Sequence, residues 1–341
     1  MTNGWGTYTF ANEATKVNSV RIAVVARPNS TGQLVFSGSA GLVALDGSLE
    51  KELQALGVKL EWVPVTANSV ATQVNEAFAN KSIDLAAYGD LPSIIANASG
   101  LQTKLILPGG SLNNTYLVVP NDSTAKSIKD LKGKRIALHR GRPWEYPFSR
   151  LLAANGLTIN DVKILNLNPQ AGAAAVSTGS ADAFFTLSDA FLLEDKKVGK
   201  IIWSSKTPPQ DWKMRAELWA DSQFIANQPK ITQIIVNAFV RAHIWAADIR
   251  NQAEYIRLET QAGQLETVIR RDLAGDATDW KARWSPHFTN AIRTHYADEI
   301  EYAKSAKLIS KPLNVDHLFA PQFVKQALID LKAEKLWANP K

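Results

Sequence analysis

The chain has 341 residues, 45% hydrophobic and 21% charged, an ordinary globular composition with more chain than one small core needs, so two domains or a large insertion are expected. Its formal net charge of +6 is mild, and Lys and Arg are interspersed with Asp and Glu, which argues against a nucleic-acid binder. The absence of cysteine excludes disulfides, thiolate metal sites and a cysteine nucleophile.

No apolar run reaches the roughly 18 residues that span a bilayer. The opening Met1-Thr2-Asn3-Gly4-Trp5 has neither the basic region nor the apolar core of a signal peptide. That start fits a cytosolic protein, or a mature form with an added Met.

Ser19–Ala26 is a β-branched apolar run, the pattern of a buried parallel strand. A polar loop follows through Asn29, Ser30, Thr31 and Gly32. The spacing predicts a helix from Ser48 to Leu56, stopped by Gly57, then a strand from Val58 to Val63. Asn68 or Ser69 can cap a helix over Val70–Ala79. A strand over Ile83–Tyr88 leads through Gly89, Asp90 and Leu91 into a helix whose first turn tolerates Pro92, and Thr103–Leu107 is the next strand. Alternating strands and helices imply a mostly parallel sheet with helices on both faces.

A second set begins at Thr115–Val119. Its expected strands are Arg135–Leu138, Val162–Leu165 and Ala183–Thr186, with Lys200–Ser204 returning; its helices are Glu145–Ala154, Ala171–Ser177 and Asp189–Glu194. One more strand is expected over Met214–Leu218, and beyond Pro229 the pattern is almost entirely helical. Two lobes of this kind enclose a cleft at the carboxyl ends of their strands, where ligands bind.

The candidate site follows from that placement. Arg140 and Arg142 flank Gly141 at a strand-to-helix turn, where guanidinium groups and backbone N–H donors converge on an anion. The alternative is a solvated pair beside Glu145. Trp144 opens the helix and could stack on a ligand or lid the cleft. Gly89, Asp90 and Leu91 form the facing helix start, with Asp90 read as capping its own helix rather than touching a ligand. Asn29, Ser30, Thr31, Gly32, Asn68 and Asn114 offer polar groups at lobe-one loop ends, and Gln170, Thr186 and Ser188 do so in lobe two, beside Asp189 as an expected N-cap. Turn chemistry and capping are the bland reading of each. None of the five histidines has the i, i+4 partner of a helical metal site, so no metal and no cofactor is expected. His139 adjoins the arginine turn and could tune the cleft.

Several segments in fixed order resemble the periplasmic substrate-binding proteins of ABC importers, in the sulfonate, taurine and nitrate branch. They are Val24–Gly32, the stretch Asn75 to Leu85 (NEAFANKSIDL), Gly89 to Gly100 (GDLPSIIANASG), Asp130 to Ala137 (DLKGKRIA) and Gly179 to Phe184 (GSADAF). The resemblance covers roughly Ser19 to Phe224. It implies a type II periplasmic binding protein fold: two doubly wound α/β lobes joined by a two-crossover hinge, with a helical C-terminal tail packed on lobe one. Residues 1–112 would be lobe one, 113–206 lobe two, and 207–341 the return and the tail. It further implies a periplasmic, monomeric receptor for a small organic anion (a sulfonate first, then carboxylate or nitrate) that partners a membrane permease. Two features depart from the family pattern: Ser188-Asp189-Ala190 replaces an aromatic-Asp-Pro triplet, and the Arg140–Trp144 loop is bulkier and more basic. The rival is an enzyme on the same fold acting on a sulfinate or a pyrimidine-type substrate. The first type needs a cysteine nucleophile, and no His/Cys cluster matches the second. A cytosolic sensor would need a DNA-binding helix-turn-helix, for which the first 18 residues are too short and polar.

Overall fold

The computed structural model describes residues 17–29, 31–67, 69–109, 112–207 and 212–337. Lobe one starts with β1 (Ser19–Pro28), turns into β2 (Leu34–Phe36), and continues through α1 (Gly38–Asp46), α2 (Ser48–Gln54), β3 (Lys59–Val65), α3 (Val70–Ala79), β4 (Leu85–Gly89), α4 (Asp90–Ala98) and β5 (Thr103–Leu107). After β6 (Leu112–Asn113) the chain enters the second lobe with β7 (Tyr116–Pro120), β8 (Arg135–Leu138), α5 (Glu145–Ala154), β9 (Lys163–Asn166), α6 (Pro169–Ser177), β10 (Ala183–Thr186), α7 (Ala190–Asp195) and β11 (Gly199–Ser204). It returns through β12 (Met214–Asp221) and ends in α8 (Ser222–Asn227), α9 (Pro229–Ala247), α10 (Gln252–Gln261), α11 (Glu266–Leu273), α12 (Trp280–Arg283), α13 (Asn290–Ser305) and α14 (Gln322–Asp330).

In the first sheet β1 pairs β3 and β4 in parallel, and β12 lies antiparallel between β4 and β5. The second sheet runs β11-β7-β10-β8-β9. The apolar run of β1 is explained by burial on both faces. Val20, Ile22 and Val24 join a core with α9 and α14, while Ala23 joins one with α3, α4 and α13. Helix α3 turns Val70, Val74 and Phe78 into that second core, one stripe at helical spacing.

β11 pairs β7 at the edge of the second sheet, and β12 makes the return to the first. Two expectations need correction. The sheets are mixed, because β12 and β7, the first strands after each crossover, enter antiparallel to their neighbours. The tail packs mainly on lobe one, but α11 reaches the other lobe: Val268 is in its core and Arg271 pairs with Glu194 and Asp195 of α7.

The two crossovers run side by side. Ser205 N–H donates to the Thr115 carbonyl (3.0 Å), and Thr115 N–H to the Ser205 hydroxyl (2.9 Å). Beneath them Asp276 accepts from Lys213 Nζ (3.0 Å), Arg283 Nη2 (2.8 Å) and the Asn114 amide (2.9 Å). All four residues lie in one buried network. Burial works to raise the Asp276 pKa, but the Thr278 N–H, the Asn114 amide and Lys213 outweigh it and hold the carboxyl below its ordinary value.

Candidate functional site

The cleft lies between the carboxyl ends of β3, β1 and β4 in lobe one and those of β10, β8 and β9 in lobe two. The register aligns Phe184 with Ala137 and Leu138 with Asn166, so Thr186, His139 and Asn166 end neighbouring strands on that edge.

Arg142 crosses the gap. It is 6% exposed, its Nη2 donates to the Ala67 carbonyl of lobe one at 3.1 Å, and its Nε is buried without a partner. Among the described residues no carboxylate pairs with it. Burial pulls its pKa down to about 10, so it remains a cation at neutral pH. A buried cation without a counter-charge costs several kcal/mol, of the order expected for uncompensated ions, and an anion in the gap would offset that cost. Beside it the His139 Nδ1 is also buried and unpartnered. Burial, and then the Arg142 charge, lower the His139 pKa, so the ring is neutral and can offer Nδ1–H as a donor.

Trp144 does not stand free in the cleft. It is 4% exposed within the lobe-two core, and the Arg142 guanidinium lies 5.3 Å from its ring centroid. It is the platform under the arginine, a cation–π contact, so the expected stacking or lid role is corrected.

Arg140 takes the other course. Its Nε donates to Glu145 Oε1 at 2.5 Å, and Gly141 N–H donates to Glu145 Oε2. Glu145 is fully buried, so this is an internal clamp and not the solvated pair considered from sequence. Tyr302 Oη of α13 donates to the same carboxylate at 2.9 Å, tying the lobes together. Gly141 has φ +70°, a conformation that favours glycine, and shapes this turn.

Gly89 faces Pro143 across the gap. A Cβ on Gly89 would lie 2.0 Å from Pro143 Cγ, although its own φ of −72° admits any residue. Gly89→Ala is therefore expected to leave the thermal midpoint nearly unchanged while blocking lobe closure. Calorimetric titration should show anion affinity reduced about tenfold or more, since contacts made only on closure are lost.

Asp90 and Leu91 do not present free groups to the cleft. Asp90 is the first residue of α4, after Gly89 at the N-cap; its Oδ1 accepts the Leu91 N–H at 2.9 Å, and its Oδ2 lies 2.8 Å from His295 Nε2. Leu91 is fully buried in a lobe-one core. His295 does have an i, i+4 neighbour, Glu299, which corrects the histidine reading.

Thr186 Oγ1 donates to Asp189 Oδ1 at 2.7 Å. Asp189 sits at the start of α7 but its side chain caps no N–H there. Burial pushes its carboxyl up to about 6. A carboxyl raised on folding favours the folded state below its unfolded pKa near 3.8, and that benefit is lost as pH rises through about 6. Asp189→Asn should flatten the stability profile between those values and add about 1–3 kcal/mol at pH 7. Chemical denaturation across pH checks this.

Other expected site residues are placed as follows. Asn29 Oδ1 accepts from Thr31 N–H and Oγ1 and from Gln33 N–H, and Gly32 has φ +82°, so Asn29, Thr31 and Gly32 build the β1–β2 hairpin turn. Asn114 is corrected from cleft to hinge: it is fully buried, donating to the Asp272 carbonyl and to Asp276 and accepting from Lys213 and Ser205. Gln170 is exposed in the first turn of α6, and Ser188 is half-buried beside Asp189. Ser30 and Asn68 lie outside the described residues.

Three participants escaped the sequence reading. Arg27 ends β1, exposed, close enough to act electrostatically on Asp189 and Glu259. Buried Glu259 accepts the Gly38 N–H that opens α1, at 2.6 Å. Tyr302 reaches the cleft from α13. A concavity of about 520 Å³, lined by Phe78, Lys81, Gln102 and Asp221 among others, sits at the opposite edge of the first sheet, where the Lys81–Asp221 pair already uses its charges. Arg142 Nε and His139 Nδ1, both buried and unpartnered, face the cleft, which makes the cleft the candidate site.

Two α/β lobes meet over a buried cation that no carboxylate among the described residues pairs, in the kind of cleft where ligands bind. The chain belongs to the NMT1/THI5-like family, which matches residues 54–253. It is similar to a Bacillus subtilis putative aliphatic sulfonates-binding protein, 25% identical over 83% of this chain and 82% of that one. An Escherichia coli protein of the same description is 28% identical over 49% of this chain, a match spanning 52% of the relative's length. A crystal structure of a putative sulfonate ABC transporter periplasmic sulfonate-binding protein from Methylobacillus flagellatus has a TM-score of 0.85 and 47% identity, covering 94% of this chain and 96% of that one. These relatives bear out the resemblance read from the sequence and the binding-protein fold it implied.

Proposed function

We propose that the protein is the solute receptor of an ABC importer, holding a small organic anion, foremost an organic sulfonate, between its lobes and passing it to a membrane permease. The observation that carries this is Arg142, buried between the lobes with an unpartnered Nε above Trp144. The names of the relatives support sulfonate over other anions and a periplasmic setting. In this reading Arg142 and His139 grip the anionic head, Gly89 and Pro143 close over it, and Thr186, Ser188, Gln170 and Arg27 line the remainder. Arg140 and Gly141 act indirectly, through Glu145. One chain supplies both jaws, so the receptor works as a monomer. Micromolar capture requires only about 8 kcal/mol, within reach of a few charge-assisted hydrogen bonds and modest apolar burial.

The protein is not an enzyme in this reading, because the chain has no cysteine nucleophile and the cleft groups bind rather than transfer protons. Titration against alkanesulfonates, carboxylates, nitrate and phosphate, with the ligand recovered and checked by NMR, tests both points. Tight binding of an intact sulfonate is expected. Conversion of any panel member, or no anion binding, would overturn the proposal.

A further inference from the structure

A second cluster lies behind the lobe-one wall of the cleft. Asp90 opens α4, His295 and Glu299 are one turn apart on α13, and all three are buried at 1%, 4% and 0% exposure. His295 Nε2 lies 2.8 Å from Asp90 Oδ2 and 3.7 Å from Glu299 Oε2, and one ligand atom from each residue falls within 4.8 Å of the other two. Neither Glu299 oxygen receives a hydrogen bond, although the side chain is fully enclosed and turned into the cluster.

The surrounding charges make this unusual. Facing it from β12, Glu217 accepts from Arg215 Nη2 (2.5 Å) and from Tyr296 Oη, so that carboxylate is satisfied. Arg215 is thereby engaged with Glu217. From lobe two the facing group is the Tyr146 ring, 5.6 Å from the His295 ring. Two carboxyls, Asp90 and Glu299, are left with one imidazole. A protonated histidine could offset only one of them. A divalent cation held by a neutral imidazole and two carboxylates leaves no residual charge.

We propose that Asp90, His295 and Glu299 bind a first-row divalent cation, zinc foremost, that fastens the start of α4 to α13. A tetrahedral ion about 2.1 Å from each donor sets the donors about 3.4 Å apart, between the two separations observed. One nitrogen and two oxygens suit zinc or manganese better than calcium, which takes six to eight oxygens. Tyr146 of lobe two covers the cluster, so parting of the lobes gives the ion its way in.

The test uses tag-free, chelator-treated full-length protein without anion. Zinc and cobalt are titrated in by calorimetry, with cobalt also followed by its visible absorption. Expected are one ion per chain, a cobalt spectrum of tetrahedral nitrogen and oxygen donors, and an affinity lowered about 100-fold in Glu299→Gln. Asp90→Asn gives the same reading should Glu299→Gln fold poorly, with folding checked by circular dichroism. No stoichiometric uptake, or uptake unaltered in the folded variants, would overturn the proposal. Anion binding is measured separately, so failure of the metal site leaves the receptor reading standing.

Discussion

Arg142→Met is expected to weaken binding of an alkanesulfonate by on the order of 100- to 1,000-fold. The side chain has one guanidinium donor on the Ala67 carbonyl and Nε unpartnered, so an anion gains at least one charge-assisted bond in a water-poor gap. Two such bonds at about 1.5–3 kcal/mol each, partly offset by ligand desolvation, give about 3–4 kcal/mol. Methionine keeps much of the stem packed on Trp144, so the fold is retained. The unliganded thermal midpoint should stay or rise, because a buried unpaired cation is removed. Arg140→Ala is the contrast. Its guanidinium is engaged with Glu145, and its loss should cost affinity no more than about tenfold, through the loosened turn. Equal losses in both variants, or none in Arg142→Met, would show that the arginine facing the ligand has been misassigned.

The largest stability effect is expected at Asp276. Its carboxylate lies between Lys213 and Arg283, which are 1% and 7% exposed, and receives the Asn114 amide from the first crossover. Asp276→Ala leaves two buried cations without their counter-charge, a change that costs about 3–5 kcal/mol. For domains of this size that is a fall of roughly 6–15 °C in thermal midpoint. The exposed pair Arg293–Asp316 makes the control, because both side chains are more than half exposed. Asp316→Ala should change stability by less than about 1 kcal/mol. Urea denaturation of both variants checks the comparison. The two effects need not be of one kind: Asp276 holds the crossovers, so its loss should also broaden the spread of lobe angles seen by solution scattering.

Much of this architecture is legible because local chemistry and tertiary context agree. Thr103–Leu107, Arg135–Leu138, Ala183–Thr186 and the helices Val70–Ala79 and Glu145–Ala154 lie where their apolar periodicity places them. Helix α1 was missed because Gly38 and Gly41 dilute its signal. Gly41 is required by contact, since a Cβ there would lie 2.4 Å from the Phe36 carbonyl oxygen. The antiparallel entry of β12 was hidden for another reason: strand direction depends on the crossover, not on the strand's own residues.

The site divides along the same line. The Arg-Gly-Arg turn at a strand end is visible locally. Which arginine reaches into the gap is decided by Glu145, which captures Arg140 and leaves Arg142 to cross to Ala67. Tyr302 meets Glu145 from 157 residues away, and His295 meets Asp90 from 205. No pattern within one segment reports such pairings. Asn114 illustrates the converse: as an amide at a loop end it looked like a cleft group, but packing gave it to the hinge.

The most direct measurement is a crystal structure of the protein grown with an alkanesulfonate. The account predicts closed lobes and sulfonate oxygens within hydrogen-bonding distance of Arg142 Nε, with the Trp144 ring beneath the guanidinium. A sulfonate bound away from the β8–α5 turn, or Arg142 turned out to bulk solvent in the liganded protein, would contradict it.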